Sequence, residues 1–242
     1  DGHTQVRARR VVLATGSAPQ VPEGWREALG DRLITSDDVF DWQTLPQSVA
    51  VVGGGVIGLE LAQALDRLGV RVKMLARKSR LGPLTDPALA AKALAIFTPE
   101  LSVVEDAGDI RPGRVGAQAQ LTYQAAGVEH MEFFDFVLAA TGRRPRLDGL
   151  DLAAAGVTLD ARGLPAFDRE TGQIADSTIF IAGDVSHAHP LLHEAADDGR
   201  IAGDNAGRFP DVRVRPRRTP LDIVFTDPQM MIAGTSLRSL QA

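Results

Sequence analysis

The segment Val49-Ala50-Val51-Val52-Gly53-Gly54-Gly55-Val56-Ile57-Gly58-Leu59-Glu60 runs from an apolar stretch through G-x-G-x-x-G into residues spaced as an amphipathic helix. No other feature limits the fold as much. A strand, this turn and a helix form the opening of a dinucleotide-binding unit. Gly53 permits the sharp turn, Gly55 lets a pyrophosphate approach the backbone, and Gly58 lets the helix pack closely on the strand. Val56 and Ile57 then lie at the helix N-terminus, which faces the phosphates. A lone glycine motif is a weak signal, and an ordinary glycine-rich turn is the alternative. Here four apolar residues precede the motif, and Ala62, Leu65 and Leu68 follow it at helical spacing.

The nucleotide is chosen at the end of the next strand, Val70-Arg71-Val72-Lys73-Met74-Leu75. An NAD site places an acid there, roughly 20 residues past the glycines, to bind the ribose hydroxyls. This chain has Ala76-Arg77-Lys78-Ser79-Arg80 instead. A carboxylate repels a 2′-phosphate, whereas guanidinium groups grip it through paired charge-assisted hydrogen bonds. Ala76, Arg77 and Lys78 are therefore candidate cofactor residues, with Arg80 assisting, and the pattern favours NADP(H) over NAD(H). The alternative is a solvated basic loop.

Composition bounds the remaining readings. The 242 residues carry a net charge of −5, which gives no reason to expect a nucleic-acid partner. No apolar run approaches the roughly 18 residues that span a bilayer, and Asp1-Gly2-His3-Thr4 has no signal-peptide character, so no membrane association is expected and the cytoplasm is the expected location. Cysteine is absent, which excludes disulfide scaffolds and thiolate metal sites. No metal site is expected.

Along the chain one phrase occurs twice. A strand read from Gln5 to Ala14 ends in Ala14-Thr15-Gly16, and Phe136 to Ala140 ends in Ala140-Thr141-Gly142-Arg143. The two copies bracket the glycine motif, as crossings between one domain and another inserted into it would. Inside the bracket the pattern predicts strand 49–52, helix 56–68, strand 70–75, a helix near 87–97, and extended pieces at 101–104, 117–123 and 130–140. Alternating strands and helices followed by a short β-run predict a parallel α/β sheet with an antiparallel appendage. Beyond it, Thr178 to Ala182 leads through Gly183-Asp184 into a helix from about Leu191 to Gly207. Arg213, Arg215, Arg217 and Arg218, with their prolines, then read as a solvated linker before a strand beginning at Ile223.

Taken together, Val12 to Gly16, the glycine motif with Glu60, Ala140 to Pro145, Ile181-Ala182-Gly183-Asp184, and Pro220 through Thr226-Asp227-Pro228 resemble the flavoprotein pyridine nucleotide-disulfide oxidoreductases, most of all their dihydrolipoamide dehydrogenase-like members. The resemblance covers nearly the whole chain. It implies a Rossmann-like NAD(P) domain, residues 46–146, inserted in a partial FAD-binding domain made of residues 1–45 and 147–212. Residues 213–242 would open an α+β interface domain.

The resemblance also implies site residues. Thr15, Gly16, Thr141, Gly142, Arg143, Gly183 and Asp184 join the cofactor set, with Asp184 on the flavin ribityl chain. The helix start at Leu191 and Leu192 is aimed at the isoalloxazine edge. Asp184 as a plain helix cap or turn residue is the alternative. Glu60 is the catalytic candidate, beside the flavin and paired with a lysine that this chain lacks. Otherwise it is a solvated helix position. His187-Ala188-His189-Pro190 with Glu194 imitates the family's proton-transfer pair, but on the flavin segment, where a cap or surface role is the better reading. The implied chemistry is hydride transfer between nicotinamide and FAD, coupled to a small-molecule or protein-bound disulfide substrate in a homodimer. The redox cysteines, a first FAD glycine motif and the interface histidine are missing, so the chain reads as an internal fragment that is inactive on disulfides. An NADPH-dependent reductase of the glutathione or mercuric reductase type, and a non-catalytic nucleotide-binding module, stay open as alternatives.

Overall fold

Ser48–Val52 is buried along its entire length and forms the middle of a five-stranded parallel sheet in the computed structural model, which describes residues 4–77, 81–235 and 237–240, without the side chains of Arg238 and Ser239. A strand covered on both faces must be apolar at every position, which is why Val49 to Val52 shows no alternation. The order across the sheet is Leu33–Ile34, Phe136–Ala139, Ser48–Val52, Arg71–Leu75 and Ser102–Val104, with Val49 level with Phe136 on one side and Val72 on the other. Leu59, Ala62 and Leu65 of the helix Val56–Arg67 pack with Val49, Val51 and Met74 on one face. Ala50, Val52 and Val137 pack on the other face with Trp25, Leu29, Leu121, Tyr123 and Phe134.

That second cover is largely an antiparallel sheet of Gly108–Val115, Gln118–Ala125 and Val128–Phe134. The extended piece expected at 130–140 is in fact two strands that part at Asp135. The Asp135 carboxylate accepts the N–H groups of Gln47 (2.7 Å) and Ser48 (3.0 Å), so the chain leaves the antiparallel sheet there and enters the parallel one. The helix Pro87–Phe97 begins where its sequence predicts, with the Asp86 side chain accepting the N–H of Leu89 at 3.0 Å and proline in the first turn.

The structure divides into two compact units, Asp1–Ala18 with Arg144–Thr219 and Pro19–Arg143 with Pro220–Ala242. The first crossing therefore falls at 18/19 and not near 45. Residues 19–45 contribute Trp25, Leu29 and the edge strand Leu33–Ile34 to the five-stranded sheet's unit. The segment after 219 belongs to that unit as well, because Val224 and Met230 of an antiparallel hairpin, Leu221–Val224 and Met230–Ala233, are buried in its core.

In the other unit Val11–Leu13 pairs in parallel with Ile179–Ile181, and Phe180 and Ala182 pack on Ala202 of the helix Leu192–Arg208. Only three residues of the expected strand 5–14 are regular. The basic stretch 5–10 lacks the apolar side chains to be buried and lies largely exposed.

The arginine run is not a solvated linker. The fully buried Asn205 side chain accepts the N–H of Arg213 (2.8 Å) and donates to the Arg213 and Thr171 carbonyls, both at 3.0 Å. Arg215 meets Asp204 at 2.5 Å, Arg217 meets Asp198 at 2.5 Å and Glu194 at 3.6 Å, and Arg218 meets Asp197 at 3.4 Å. Acids repeating at helical spacing thus face arginines spaced for an extended chain, and the segment is strapped along the helix. Among the described residues no helix is long and apolar enough to cross a membrane, and no His/Cys/Asp/Glu cluster could hold a metal ion.

Candidate functional site

The glycine turn forms one wall of a cleft of about 370 Å³, lined by Val52, Gly53, Gly54, Gly55, Ala76, Arg77, Gly82 and the second phrase, Ala140, Thr141 and Gly142. Two of the three motif glycines are required by the backbone around them. Gly53 has φ +122°, and a Cβ there would lie 2.2 Å from the Ala140 carbonyl oxygen. A Cβ on Gly58 would lie 2.1 Å from the Gly53 carbonyl oxygen, so the helix can seat against the turn only without a side chain. Gly55 has nothing within 4 Å of such a position, which leaves its backbone open to a ligand. It also caps the helix without a side chain, so the cap itself supplies no acceptor to the N–H groups of the first turn.

Sheet topology brings the second phrase to this turn. Phe136–Ala139 lies beside Ser48–Val52, and the Ala140 N–H continues the ladder to the Val52 carbonyl at 2.9 Å. Thr141 donates to the Gln20 carbonyl at 2.5 Å, Gly142 sits at φ +125°, and Arg143 lies 3.7 Å from Asp37. Val56 and Ile57 are half-buried in the first helical turn and do not line the cleft. Ala76 is fixed at the sheet end, its N–H donating to the Val104 carbonyl at 2.9 Å, and Arg77 beside it is exposed, with no ion pair to a described residue. Lys78, and Arg80 with it, lie outside the described residues.

A second group of predicted residues meets in the other unit. Ser17 donates to Asp184 at 2.8 Å, directly after the first phrase, where Thr15 donates to the Arg146 carbonyl at 2.5 Å and Gly16 turns at φ +71°. Gly183, at φ +74°, donates its N–H to the buried Asp198 carboxylate at 3.0 Å, and a Cβ on it would come within 3.3 Å of Ala195. An acid with one hydroxyl partner, two positive-φ glycines and a nearby helix start form a donor and acceptor set suited to a polyhydroxyl ligand. Leu191 caps the helix Leu192–Arg208 in extended conformation and has no side-chain hydrogen bond, and Leu192 is largely exposed.

The sequence model of the pyridine nucleotide-disulphide oxidoreductases matches residues 1–199. The chain belongs to this family. It is 32% identical to the dihydrolipoyl dehydrogenase of Bacillus subtilis over 97% of its own length and 50% of that protein's. It is 29% identical to the mercuric reductase of Staphylococcus aureus over 95% of the chain and 42% of the relative. Among solved structures, LpdA from Mycobacterium tuberculosis aligns with a TM-score of 0.80 at 28% identity, over 97% of this chain and 50% of that one. The HOCl-induced flavoprotein disulfide reductase RclA from Escherichia coli aligns at 0.82 over 99% of this chain and 54% of that one, but its 23% identity shows the fold alone. This member of the family spans about half the length of the curated relatives it matches.

Glu60, the catalytic candidate, is half-buried and engaged by backbone in this family member: its Oε1 accepts the Phe225 N–H at 2.7 Å. Three positions on, Gln63 accepts the Asp227 N–H at 2.8 Å and donates to the Asp227 carbonyl at 2.9 Å and to Glu100 at 2.8 Å. Arg67 reaches Glu100 at 2.5 Å and Asp227 at 3.1 Å, and its hydrogen bond, outweighing burial, holds the Glu100 carboxyl below the usual range, helped by Gln63. Sequence reasoning missed this polar face. The 3-4 spacing of Glu60, Gln63 and Arg67 was visible, and so was the stretch ending in Thr226-Asp227-Pro228, but they lie more than 160 residues apart and nothing local pairs them. In the imitation of the proton-transfer pair, Glu194 is buried against Arg217, and His187 is exposed in the left-handed conformation.

Proposed function

We infer that the cleft between Gly53 to Gly55, Arg77 and Ala140 to Gly142 binds NADP(H) in preference to NAD(H). The observation that carries this is Arg77, exposed on the wall of the same cleft as the glycine turn, at the position where an acid would serve NAD. The cradle fits a pyrophosphate, since Gly53 and Gly58 leave no room for side chains and Gly55 leaves its backbone open. Titration of NADPH and NADH tests the preference. NADPH should bind more tightly by about 1 to 3 kcal/mol, with the difference shrinking in salt. Arg77→Ala should remove most of it, and equal affinities in the unaltered protein would refute the reading.

The same reading assigns Asp184, Ser17, Gly16 and Gly183 to FAD, and the protein's part in an FAD-dependent oxidoreductase that couples NAD(P)H to a small-molecule or protein-bound disulfide. When bound there, FAD would supply the two-electron chemistry that links a nicotinamide hydride to a disulfide, which takes up one further proton from water to become two thiols. Asp184 would orient the ribityl hydroxyls, held by Ser17, while the helix start at Leu191 and Leu192 offers N–H groups and a positive dipole end to an electron-rich ring. These 242 residues hold no cysteine, so thiol exchange itself falls to groups outside them. With this reading goes the expectation of a homodimer, which the family resemblance supports, and beside it stands the cytoplasmic setting expected from the sequence. Flavin titration followed by absorbance tests the FAD assignment, with Asp184→Ala lowering the affinity. A flavin that binds Asp184→Ala unchanged would refute it.

A further inference from the structure

We propose that the hairpin Leu221–Val224 and Met230–Ala233 positions the Arg77 side of the nucleotide cleft, with Met230 as a positioning residue acting through Gly82. The proposal rests on the reading of the cleft as a dinucleotide site. Gly82, at φ +67°, lines the cleft and donates its N–H to the Gly54 carbonyl at 2.8 Å, which ties this wall of the cleft to the glycine turn. A Cβ on Gly82 would lie 2.7 Å from Met230 Cε, 3.6 Å from its Sδ and 3.9 Å from Val224 Cγ2, so the hairpin's side chains press directly on this glycine. Met230 and Val224 are buried in one core with Leu81.

The hairpin's own turn is gripped by the helix whose N-terminus opens the cleft. Glu60 holds the Phe225 N–H, Gln63 both the N–H and the carbonyl of Asp227, and Arg67 the Asp227 carboxylate. Glycine turn, helix, hairpin and Gly82 therefore close a ring that returns to Gly54. No residue of the hairpin lines the cleft. Its effect on a ligand is preorganisation: with the ring intact Gly82 is already held against Gly54, and with it loosened the nucleotide must order that wall, which Gly82 shares with Arg77, on binding.

The test is titration of NADPH, NADH and 2′,5′-ADP into the unaltered protein and into Met230→Ala, Met230→Leu and Arg67→Ala, with thermal unfolding recorded for each. Met230→Ala should weaken NADPH and 2′,5′-ADP about tenfold and narrow the preference over NADH, a ratio that loss of stability alone does not move. Met230→Leu, of similar volume, should stay within about twofold of the unaltered protein. Arg67→Ala should shift both ligands in the same direction by about threefold, and it decides the matter if Met230→Ala does not fold. Unchanged affinity and unchanged preference in the variants would overturn the proposal. If the unaltered protein binds neither nucleotide, the dinucleotide reading itself fails. If it binds both equally, only the NADP(H) preference fails, and the brace is judged by the loss of affinity for both.

Discussion

Gly58 lies behind the cleft, where the helix seats on the glycine turn, and tolerates no side chain. Its missing side chain would meet backbone, the Gly53 carbonyl oxygen at 2.1 Å, and no rotamer change relieves a backbone contact. Gly58→Ala should therefore cost about 1 to 3 kcal/mol in stability and remove nucleotide binding, measured by denaturant unfolding and titration; a variant that binds as well as the parent would show that the helix can move away from the turn. The roles of Gly53 and Gly58 were legible in the sequence because they follow from local geometry. Glu132 was not, since Lys73, its charged neighbour, comes from another sheet. It accepts from Lys73 at 2.6 Å and from Tyr123 at 2.5 Å. Burial pushes its carboxyl up, but these two hydrogen bonds together hold it below the ordinary glutamate value, while burial and the same bond push the Tyr123 hydroxyl up. A depressed acid contributes stability that is present at neutral pH and is lost as pH falls through its folded value. Stability measured from pH 7 downward should fall less steeply in Glu132→Gln below the ordinary glutamate range, about 4.3, and identical acid limbs would refute the role of this carboxylate.

At the scale of elements, the strap shows where sequence patterns mislead. Arginines among prolines look like a solvated linker, and only the helix Leu192–Arg208 supplies the acids that pair with them. The strand Gly108–Val115 escaped notice for a related reason, because Pro112 and Gly113 mark loops and its role as a sheet edge comes from pairing with Gln118–Ala125. By contrast, strand 48–52 was legible as an unbroken apolar run, and helix 56–67 because burial of one face imposes its periodicity. The strap's energetics separate into buried and exposed pairs. Arg217 meets two carboxylates with side chains only 8% and 9% exposed, whereas Arg218 is 73% exposed. Arg217→Ala leaves Glu194 and Asp198 buried without their partner and should destabilise by about 3 to 5 kcal/mol. Arg218→Ala should change stability by less than about 1 kcal/mol. Denaturant unfolding of both variants checks the contrast; similar small losses would mean that the strap does not hold the helix.

For the whole molecule, the two compact units change over at 18/19, 143/144 and 219/220, whereas the sequence places its seams at 45/46, 146/147 and 212/213. The seams depend on which sheet a short strand joins, and Leu33–Ile34 carries too few residues to announce a partner. The consequence is that the entire cleft, from Val52 to Gly142, is built from the Pro19–Arg143 segment of one unit. A ligand that binds only the native form of that unit raises its unfolding free energy by RT ln(1 + [L]/Kd), about 2.7 kcal/mol at a hundred times Kd. Amides of 49–52, 72–75 and 136–139 share one sheet and should exchange through its common unfolding, so NADPH should slow them together by about a hundredfold. Amides of Val11–Leu13 and Ile179–Ile181, paired in the other unit, provide the reference within the same sample. If the five-stranded sheet exchanges at the same rate with and without saturating NADPH, the glycine turn is not where the nucleotide binds.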